Sequence, residues 1–103
     1  MLCAHTVRKL KPGAFEEFKA GFGPPEDATP RGWVRFHMLR NLDDPDQVVT
    51  FGFFDGTMED LNASQQEHGY DERVQRIASL VDEVVANGVY EVVVDRNIEG
   101  AAA

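Results

Sequence analysis

The sequence has a single cysteine, Cys3, among its 103 residues. One cysteine excludes an internal disulfide bond and a zinc site built from cysteine pairs. Because no disulfide framework points to an oxidising compartment, we expect a cytoplasmic protein. Cys3 itself is expected to be a small residue within a strand, with a reactive thiol as the alternative.

Positive charge is also scarce, since ten Lys and Arg residues stand against 18 Asp and Glu residues and give a formal net charge of −8. Binding to phosphate requires clustered cations, and the basic residues here are scattered along the chain. We therefore expect neither a nucleic acid nor a membrane surface as a partner.

Several sequence signals are missing altogether. No apolar run approaches the roughly 20 residues that cross a bilayer. The apolar residues 1–7 precede the first basic residues instead of following them, which is unlike a signal peptide. There is no glycine-rich phosphate loop, no nucleophile elbow and no zinc motif. We expect no cofactor and no metal.

The sequence does contain an alternation of strand and helix patterns. It predicts strands at 2–8, 32–40, 47–54 and 89–96. A helix with Phe15, Phe18 and Phe22 on one face is predicted between the first two strands. Between the last two strands the pattern predicts a helix at 58–66, capped by Thr57 and Asp60, and a helical segment at 71–85. The polar residues 24–30 are a candidate rim or lid. Residues 1–96 are expected to form one domain, followed by a flexible tail at 97–103.

The two central strand segments, 32–40 and 47–54, flank an acidic turn. Alternate side chains of a strand lie on opposite faces. The expected pairing sets Arg35 opposite Gly52 and His37 opposite Thr50, so one face carries a cation, an imidazole, a hydroxyl and a gap without a side chain. The other face is expected to be apolar core, made of Val34, Phe36, Met38, Val49, Phe51 and Phe53.

This order of elements predicts an α+β fold of the ferredoxin-like type, βαββαβ, with a four-stranded antiparallel sheet. Both helices then lie on one face of the sheet. The last three strands carry apolar residues on both faces, so the face without helices needs a cover. The simplest cover is a second copy of the chain, and we expect a homodimer through the sheet face.

In these features the chain resembles the dimeric α/β-barrel superfamily, and within it the antibiotic-biosynthesis-monooxygenase-like domains. The resemblance covers residues 1–96 and rests on the element order, the length, and the segment 49–61, VTFGFFDGTMEDL, in which a third strand leads directly into a capped helix. It implies that two sheets face each other in a barrel with the helices outside, and that a small pocket lies between helices and sheet.

Members of these families include cofactor-free oxygenases of phenolic polycycles, haem-degrading proteins and proteins without a known activity. This sequence departs from them in two ways. The tryptophan that often follows the third strand is absent between Phe54 and Thr57. The residue set of the haem-degrading members has no match here, so haem chemistry is unsupported.

The candidate catalytic residues lie on the second strand. A histidine titrates near neutral pH and removes a phenolic proton, and a neighbouring arginine stabilises the resulting anion. We therefore expect His37 to be the base and Arg35 the anion stabiliser of a cofactor-independent monooxygenase-like enzyme that acts on an aromatic or polyketide-type molecule. The expected substrate-binding residues are Trp33, Tyr70, Phe22, Thr50 and Gly52.

Other hypotheses stay open. His37 and Arg35 are alternatively structural residues of a dimer interface. His5 either shares their pocket, joins His37 and Glu91 in a divalent-metal site, or is a core residue. Two alternatives to an enzyme are a non-catalytic ligand-binding or stress-associated dimer and a purely structural interaction module. The direction of the polar face of the central strands, toward the helices or toward the partner, distinguishes these hypotheses.

Overall fold

The computed structural model describes residues 1–22 and 31–98. The elements in these ranges are β1 (Leu2–Leu10), α1 (Phe15–Phe22), β2 (Trp33–Arg40), β3 (Gln47–Phe54), α2 (Met58–Glu67), α3 (Tyr70–Ile77), a short 3-10 turn (Ala78–Leu80) and β4 (Val81–Glu91). The strands form one antiparallel sheet in the order β2-β3-β1-β4. The predicted ferredoxin-like α+β fold is confirmed. The predicted loop 24–30 and residues 99–103 of the predicted tail lie outside the described residues.

The core lies between the helices and one face of the sheet, which we call the helix side. Its buried members come from four elements and are Leu10, Phe18, Phe22, Val48 and Ile77. Phe18 and Phe22 stack with ring centroids 5.3 Å apart, because a spacing of four residues places them on the same helix face. The aromatic stripe predicted for this helix is confirmed.

The helix α2 begins as the sequence predicts. The Thr57 side chain accepts a hydrogen bond from Asp60 N, and the Asp60 side chain accepts one from Thr57 N, which completes a capping box. The helix ends at Glu67, and Gly69, with a φ of 67°, redirects the chain into α3. No helix in the described ranges is long and apolar enough to span a membrane.

The predicted helix at 71–85 is wrong in its second half. The helix α3 ends at Ile77, and β4 begins at Val81. Here the Lys11 N–H donates a hydrogen bond to Leu80 O, and the following valines pair with β1. The β-branched residues at 81, 84 and 85 fit a pleated strand better than a helix, so tertiary pairing overrode a pattern that also fits a helix. The predicted strand at 89–96 correspondingly ends at Glu91.

The predicted register of the central strands is wrong by one residue. Arg35 lies opposite Phe53 and not Gly52, while His37 lies opposite Phe51 and not Thr50. The turn sets this register, because Asn41 N donates to Gln47 O and closes the pair at these two residues. A shift of one residue exchanges the faces of one strand relative to its neighbour.

The exchange moves the predicted core residues as well. Phe51 and Phe53 lie with His37 on the face opposite the helices, which we call the open face, whereas Phe36 and Met38 share the helix side with Gly52 and Thr50. A bulge in β2 between Trp33 and Arg35 places the Trp33 side chain on the helix side. No described helix covers the open face.

Candidate functional site

The sheet separates the predicted site residues into two groups. The predicted wall residues, Trp33, Phe22, Thr50, Gly52 and Tyr70, all lie on the helix side. The predicted catalytic pair, His37 and Arg35, lies on the open face. The structure therefore does not bring the base and its cation together with the residues expected to hold a substrate.

The helix side contains a cation that the sequence reasoning missed. Arg8, two residues before the end of β1, is only 3% exposed. Its Nη1 donates a hydrogen bond of 3.0 Å to the hydroxyl of Thr50, and its guanidinium lies 4.5 Å above the ring centroid of Phe22 and 5.7 Å from that of Phe18. The aromatic faces attract the guanidinium charge, but they replace only part of the hydration that the charge loses on burial.

No carboxylate compensates Arg8 in the described ranges. The one ion pair found there joins Asp44 to Lys9, the residue that follows Arg8 in β1. Burial lowers the pKa of Arg8, and the charge and hydrogen bonding of the Tyr70 hydroxyl act in the opposite direction. A buried guanidinium without an acid retains donors for an anionic ligand.

A second guanidinium lies close to the same aromatic rings. Arg73, on α3, is 5.8 Å from the ring centroid of Tyr70 and 5.9 Å from that of Phe22. Burial lowers its pKa as well, and its buried Nε has no hydrogen-bond partner within the described residues. Arg8, Thr50, Tyr70, Arg73 and Phe22 together form what we call the arginine cluster.

Trp33 lies beside this cluster on the helix side and is fixed by α2. Its Nε1 donates a hydrogen bond of 2.9 Å to Ser64 Oγ, and its ring meets that of Phe54 edge-on at 5.1 Å. Gly52 makes room for the indole, since a Cβ atom there would lie 2.8 Å from Trp33 Cζ3. The gap expected beside Arg35 is thus filled by Trp33.

The open face carries its own aromatic group. His37 stacks on Phe51 with centroids 4.8 Å apart, while His5 lies 6.3 Å from Phe51 and 5.6 Å from Tyr90. The Nδ1 atom of His5 is buried without a partner among the described residues. His5 and His37 therefore share a face, as one hypothesis expected, but the Phe51 ring lies between them.

In the described residues, no group of three or more His, Cys, Asp or Glu side chains is placed to hold a metal ion. The signal for Arg8 was present in the sequence. It alternates with Thr6 and Leu10 and so shares their buried face. The predicted strand ended at residue 8, which placed Arg8 at the end of the strand instead of within it.

Comparison with solved structures identifies the fold. A candidate antibiotic biosynthesis monooxygenase from Nitrosomonas europaea superposes with a TM-score of 0.76 at 21% identity, covering 91% of this chain and 100% of that one. A second from Deinococcus radiodurans gives 0.76 at 16% identity, covering 97% and 100%. SnoaB, a cofactor-independent oxygenase from Streptomyces nogalater, gives 0.67 at 15% identity, covering 91% and 94%. The chain has the antibiotic-biosynthesis-monooxygenase-like fold. Neither a family model nor a curated protein matches its sequence.

The resemblance drawn from element order and length is thereby confirmed at the level of the fold. In this antibiotic-biosynthesis-monooxygenase-like fold the arginine cluster lies between helices and sheet, where the resemblance implied a pocket. The open face, with His37 and Arg35, is the surface through which the resemblance implied a second copy.

Proposed function

We propose that this protein is a homodimeric monooxygenase-like enzyme that oxidises an aromatic or polyketide-type molecule with dioxygen, without metal or flavin, in the cytoplasm. The observation that carries the proposal is the buried Arg8, whose charge has no acid among the described residues. The fold it shares with a cofactor-independent oxygenase supports the reaction type.

The arginine cluster suits a substrate that becomes an anion. Phenols and enols next to an activated methylene lose a proton to give a carbanion whose charge spreads onto oxygen. A guanidinium in a site of low dielectric stabilises such an oxygen anion more strongly than water-exposed charge does. Arg8 would hold the anion, while Phe22 and Tyr70 would pack against the rings.

The reaction balances without an external reductant. The carbanion, formed when a solvent water molecule takes one proton from the methylene group, passes its electron pair to dioxygen, and a C–O bond forms to give a peroxide anion. This anion takes a proton back from solvent. The second methylene proton then leaves as the O–O bond breaks, which releases water and forms a ketone. One methylene group and one dioxygen molecule thus become one carbonyl group and one water molecule.

The roles predicted for His37 and Arg35 stay predictions. Both lie on the open face, across the sheet from Arg8. In the proposed dimer this face meets the second copy, because it exposes apolar and aromatic side chains that no described helix covers. His37 as a base would require a second site, inside the barrel, and one assay separates the two placements.

The assay uses 1,8-dihydroxyanthrone, a phenolic tricycle with an activated methylene, and follows oxygen uptake at neutral pH. The single tryptophan, Trp33, reports binding independently through its fluorescence. We expect Arg8→Met to lower turnover at least tenfold. The matched control is Lys19→Met, which removes an exposed cation from α1 and should leave turnover unchanged.

His37→Ala decides the placement of the site. A helix-side site predicts turnover within about twofold of the wild type, whereas loss of turnover with intact Trp33 binding would move the chemistry to the open face. Saturable binding without oxygen uptake, lost in Arg8→Met, would instead identify a non-catalytic ligand-binding protein. Absence of both binding and uptake would overturn the proposal for this class of molecule.

A further inference from the structure

Arg73 is a second cation of the arginine cluster, and the reaction proposed above does not use it. The residue is half-buried, in contrast to Arg8, which is almost inaccessible. Its Nε atom is buried and has no hydrogen-bond partner among residues 1–22 and 31–98. A buried N–H donor without an acceptor costs free energy and is uncommon in folded proteins. This donor is therefore available to an acceptor that a ligand brings.

Acidic residues are plentiful in the chain, but in the part that the structure describes none of them pairs with Arg73. The sequence has 18 Asp and Glu residues against ten Lys and Arg residues, and the ion pair of Lys9 with Asp44 is the one found. Two acids, Asp71 and Glu72, precede Arg73 on α3 and are exposed. Residues one and two positions apart on a helix do not face each other. The helix α3 thus carries its acids toward solvent and Arg73 toward the cluster.

The two guanidiniums of the cluster lie near the same aromatic ring. Arg8 Cζ is 4.5 Å from the ring centroid of Phe22, and Arg73 Cζ is 5.9 Å from it. Tyr70 lies near both cations, since its ring centroid is 5.8 Å from Arg73 Cζ and its hydroxyl acts on Arg8 through charge and hydrogen bonding. A flat aromatic ligand that packs on Phe22 therefore has two cations beside its rim.

Neighbouring cations without an acid favour an anion between them. Burial lowers the pKa of Arg73, and the charge of Arg76, exposed one turn further along α3, lowers it as well, while Tyr70 acts in the opposite direction. The oxygen anion assigned to Arg8 forms only during the reaction, so it does not compensate Arg73 when the substrate binds. Arg73 therefore requires a ligand group that is already ionised.

A carboxylate meets this requirement. It is ionised at neutral pH, and its two oxygens accept parallel hydrogen bonds from the planar N–H fork of a guanidinium. The unpartnered Nε of Arg73 is one side of such a fork. Because the protein as a whole has a formal net charge of −8, an anionic ligand gains its attraction from these local cations and not from the overall field.

We propose that the substrate is an aromatic carboxylic acid, and that Arg73 binds its carboxylate through Nε and one Nη while Arg8 faces the phenolic oxygen. The inference rests on the proposed function, which places the ligand at the arginine cluster, and deepens it by naming the substrate class. The carboxylate is charged before and during the reaction, so its bond to Arg73 lowers KM and leaves kcat unchanged. Arg73 thus determines specificity, whereas Arg8 acts on turnover.

The first test measures binding without turnover and needs no variant. It compares 1,8-dihydroxyanthraquinone, its 3-carboxylic acid and the neutral 3-carboxamide by calorimetry and by Trp33 fluorescence at neutral pH. We expect the acid to bind the wild-type chain about tenfold more tightly than the parent compound. The carboxamide should bind within about threefold of the parent. Equal binding of the acid and the carboxamide would overturn the proposal.

The second test assigns the preference to Arg73. Arg73→Met removes the guanidinium and keeps an apolar chain beside Phe22 and Tyr70. It should reduce the preference for the acid to less than about twofold and change the binding of the parent compound less than about threefold. Arg73→Lys keeps the charge without the fork and should retain only part of the preference. The matched control is Arg76→Met, which removes the same charge from an exposed position of α3 and should keep the preference.

The third test separates binding from turnover. Oxygen uptake is followed with 1,8-dihydroxyanthrone and with its 3-carboxylic acid. For the acid, Arg73→Met should raise KM about tenfold and leave kcat within about twofold, and for the parent anthrone it should change neither. A fall of kcat with both substrates, in a variant that keeps the wild-type circular dichroism, would overturn the assignment of Arg73 to the carboxylate.

The outcomes distinguish this inference from the proposed function. A protein that takes up no oxygen with either anthrone, yet binds the anthraquinone acid through Arg73, would overturn the reaction and keep the carboxylate site. Oxygen uptake that depends on Arg8 and is the same for the acid and the parent anthrone would overturn the carboxylate site and leave the reaction standing. A preference for the acid that survives Arg73→Met would place the carboxylate elsewhere and overturn the role of Arg73.

Discussion

The indole of Trp33 lies against the backbone of Gly52, so close that a Cβ atom on residue 52 would be 2.8 Å from Trp33 Cζ3 and 3.1 Å from Cε3. The indole cannot easily move away, because Trp33 Nε1 donates a hydrogen bond to Ser64 Oγ on α2. Residue 52 is thus glycine for reasons of space. The contact links β2, β3 and α2 and fixes the wall beside the arginine cluster.

Gly52→Ala should displace the indole and break its hydrogen bond to Ser64. We expect a loss of about 1–3 kcal/mol in the free energy of unfolding, as overpacking in a filled interior typically costs. Urea denaturation measures the loss, and a red shift of Trp33 emission reports the displacement. Ser64→Ala is the control, because it removes only the hydrogen bond and should cost about 0.5–1.5 kcal/mol. Wild-type stability and emission in Gly52→Ala would contradict the contact.

Arg8 should contribute to ligand binding at the expense of stability. A buried charge without an acid costs desolvation energy, and a Met of similar length keeps the packing against Phe18 and Phe22. We expect Arg8→Met to leave the free energy of unfolding unchanged or to raise it by about 1–3 kcal/mol, measured by urea denaturation. Thr50→Val, which removes the acceptor of the Arg8 hydrogen bond, should instead destabilise. A clear loss of stability in Arg8→Met would show that the Arg8 contacts with Thr50 and the aromatic rings serve the fold and not a ligand.

Asp44 gives a prediction in acid solution. A hydrogen bond from Lys9 holds the pKa of the Asp44 carboxyl below its ordinary value of 3.8. A depressed pKa means that the stabilisation is complete above the ordinary pKa and disappears as the pH falls through the folded-state pKa. Wild type should therefore unfold at higher urea than Asp44→Asn at pH 6, and the difference should shrink below about pH 4. A difference that persists unchanged at pH 2 would contradict the assignment.

The element order and the fold were predictable from the sequence because they depend on local signals. The capping box of Thr57 and Asp60, the stripe of Phe18 and Phe22, and the turn before Gln47 each act over a few residues. Those signals agree with one another, and a small set of topologies accommodates them.

The candidate site was less predictable because it depends on register. Whether His37 shares a face with Thr50 or with Phe51 rests on the closure of the turn at Asn41 and on the bulge after Trp33. Alternation within a strand gives no information about either. The burial of Arg8 similarly depends on β1 extending to Leu10, which pairing with β4 decides.

Cys3 offers a test of the open face. Burial raises the pKa of its thiol, so less thiolate is present at pH 8 than in a free cysteine, and alkylation should be slower because the thiolate is the nucleophile. Cys3 lies opposite Phe53 and Tyr90 in the ladder, on the face proposed to meet the second copy. The iodoacetamide rate should therefore fall further as protein concentration rises through the dimer dissociation constant. The urea-unfolded chain is the control and should react at the rate of a free thiol. A folded-state rate that is independent of protein concentration, in a preparation that sediments as a dimer, would move the dimer contact away from the open face.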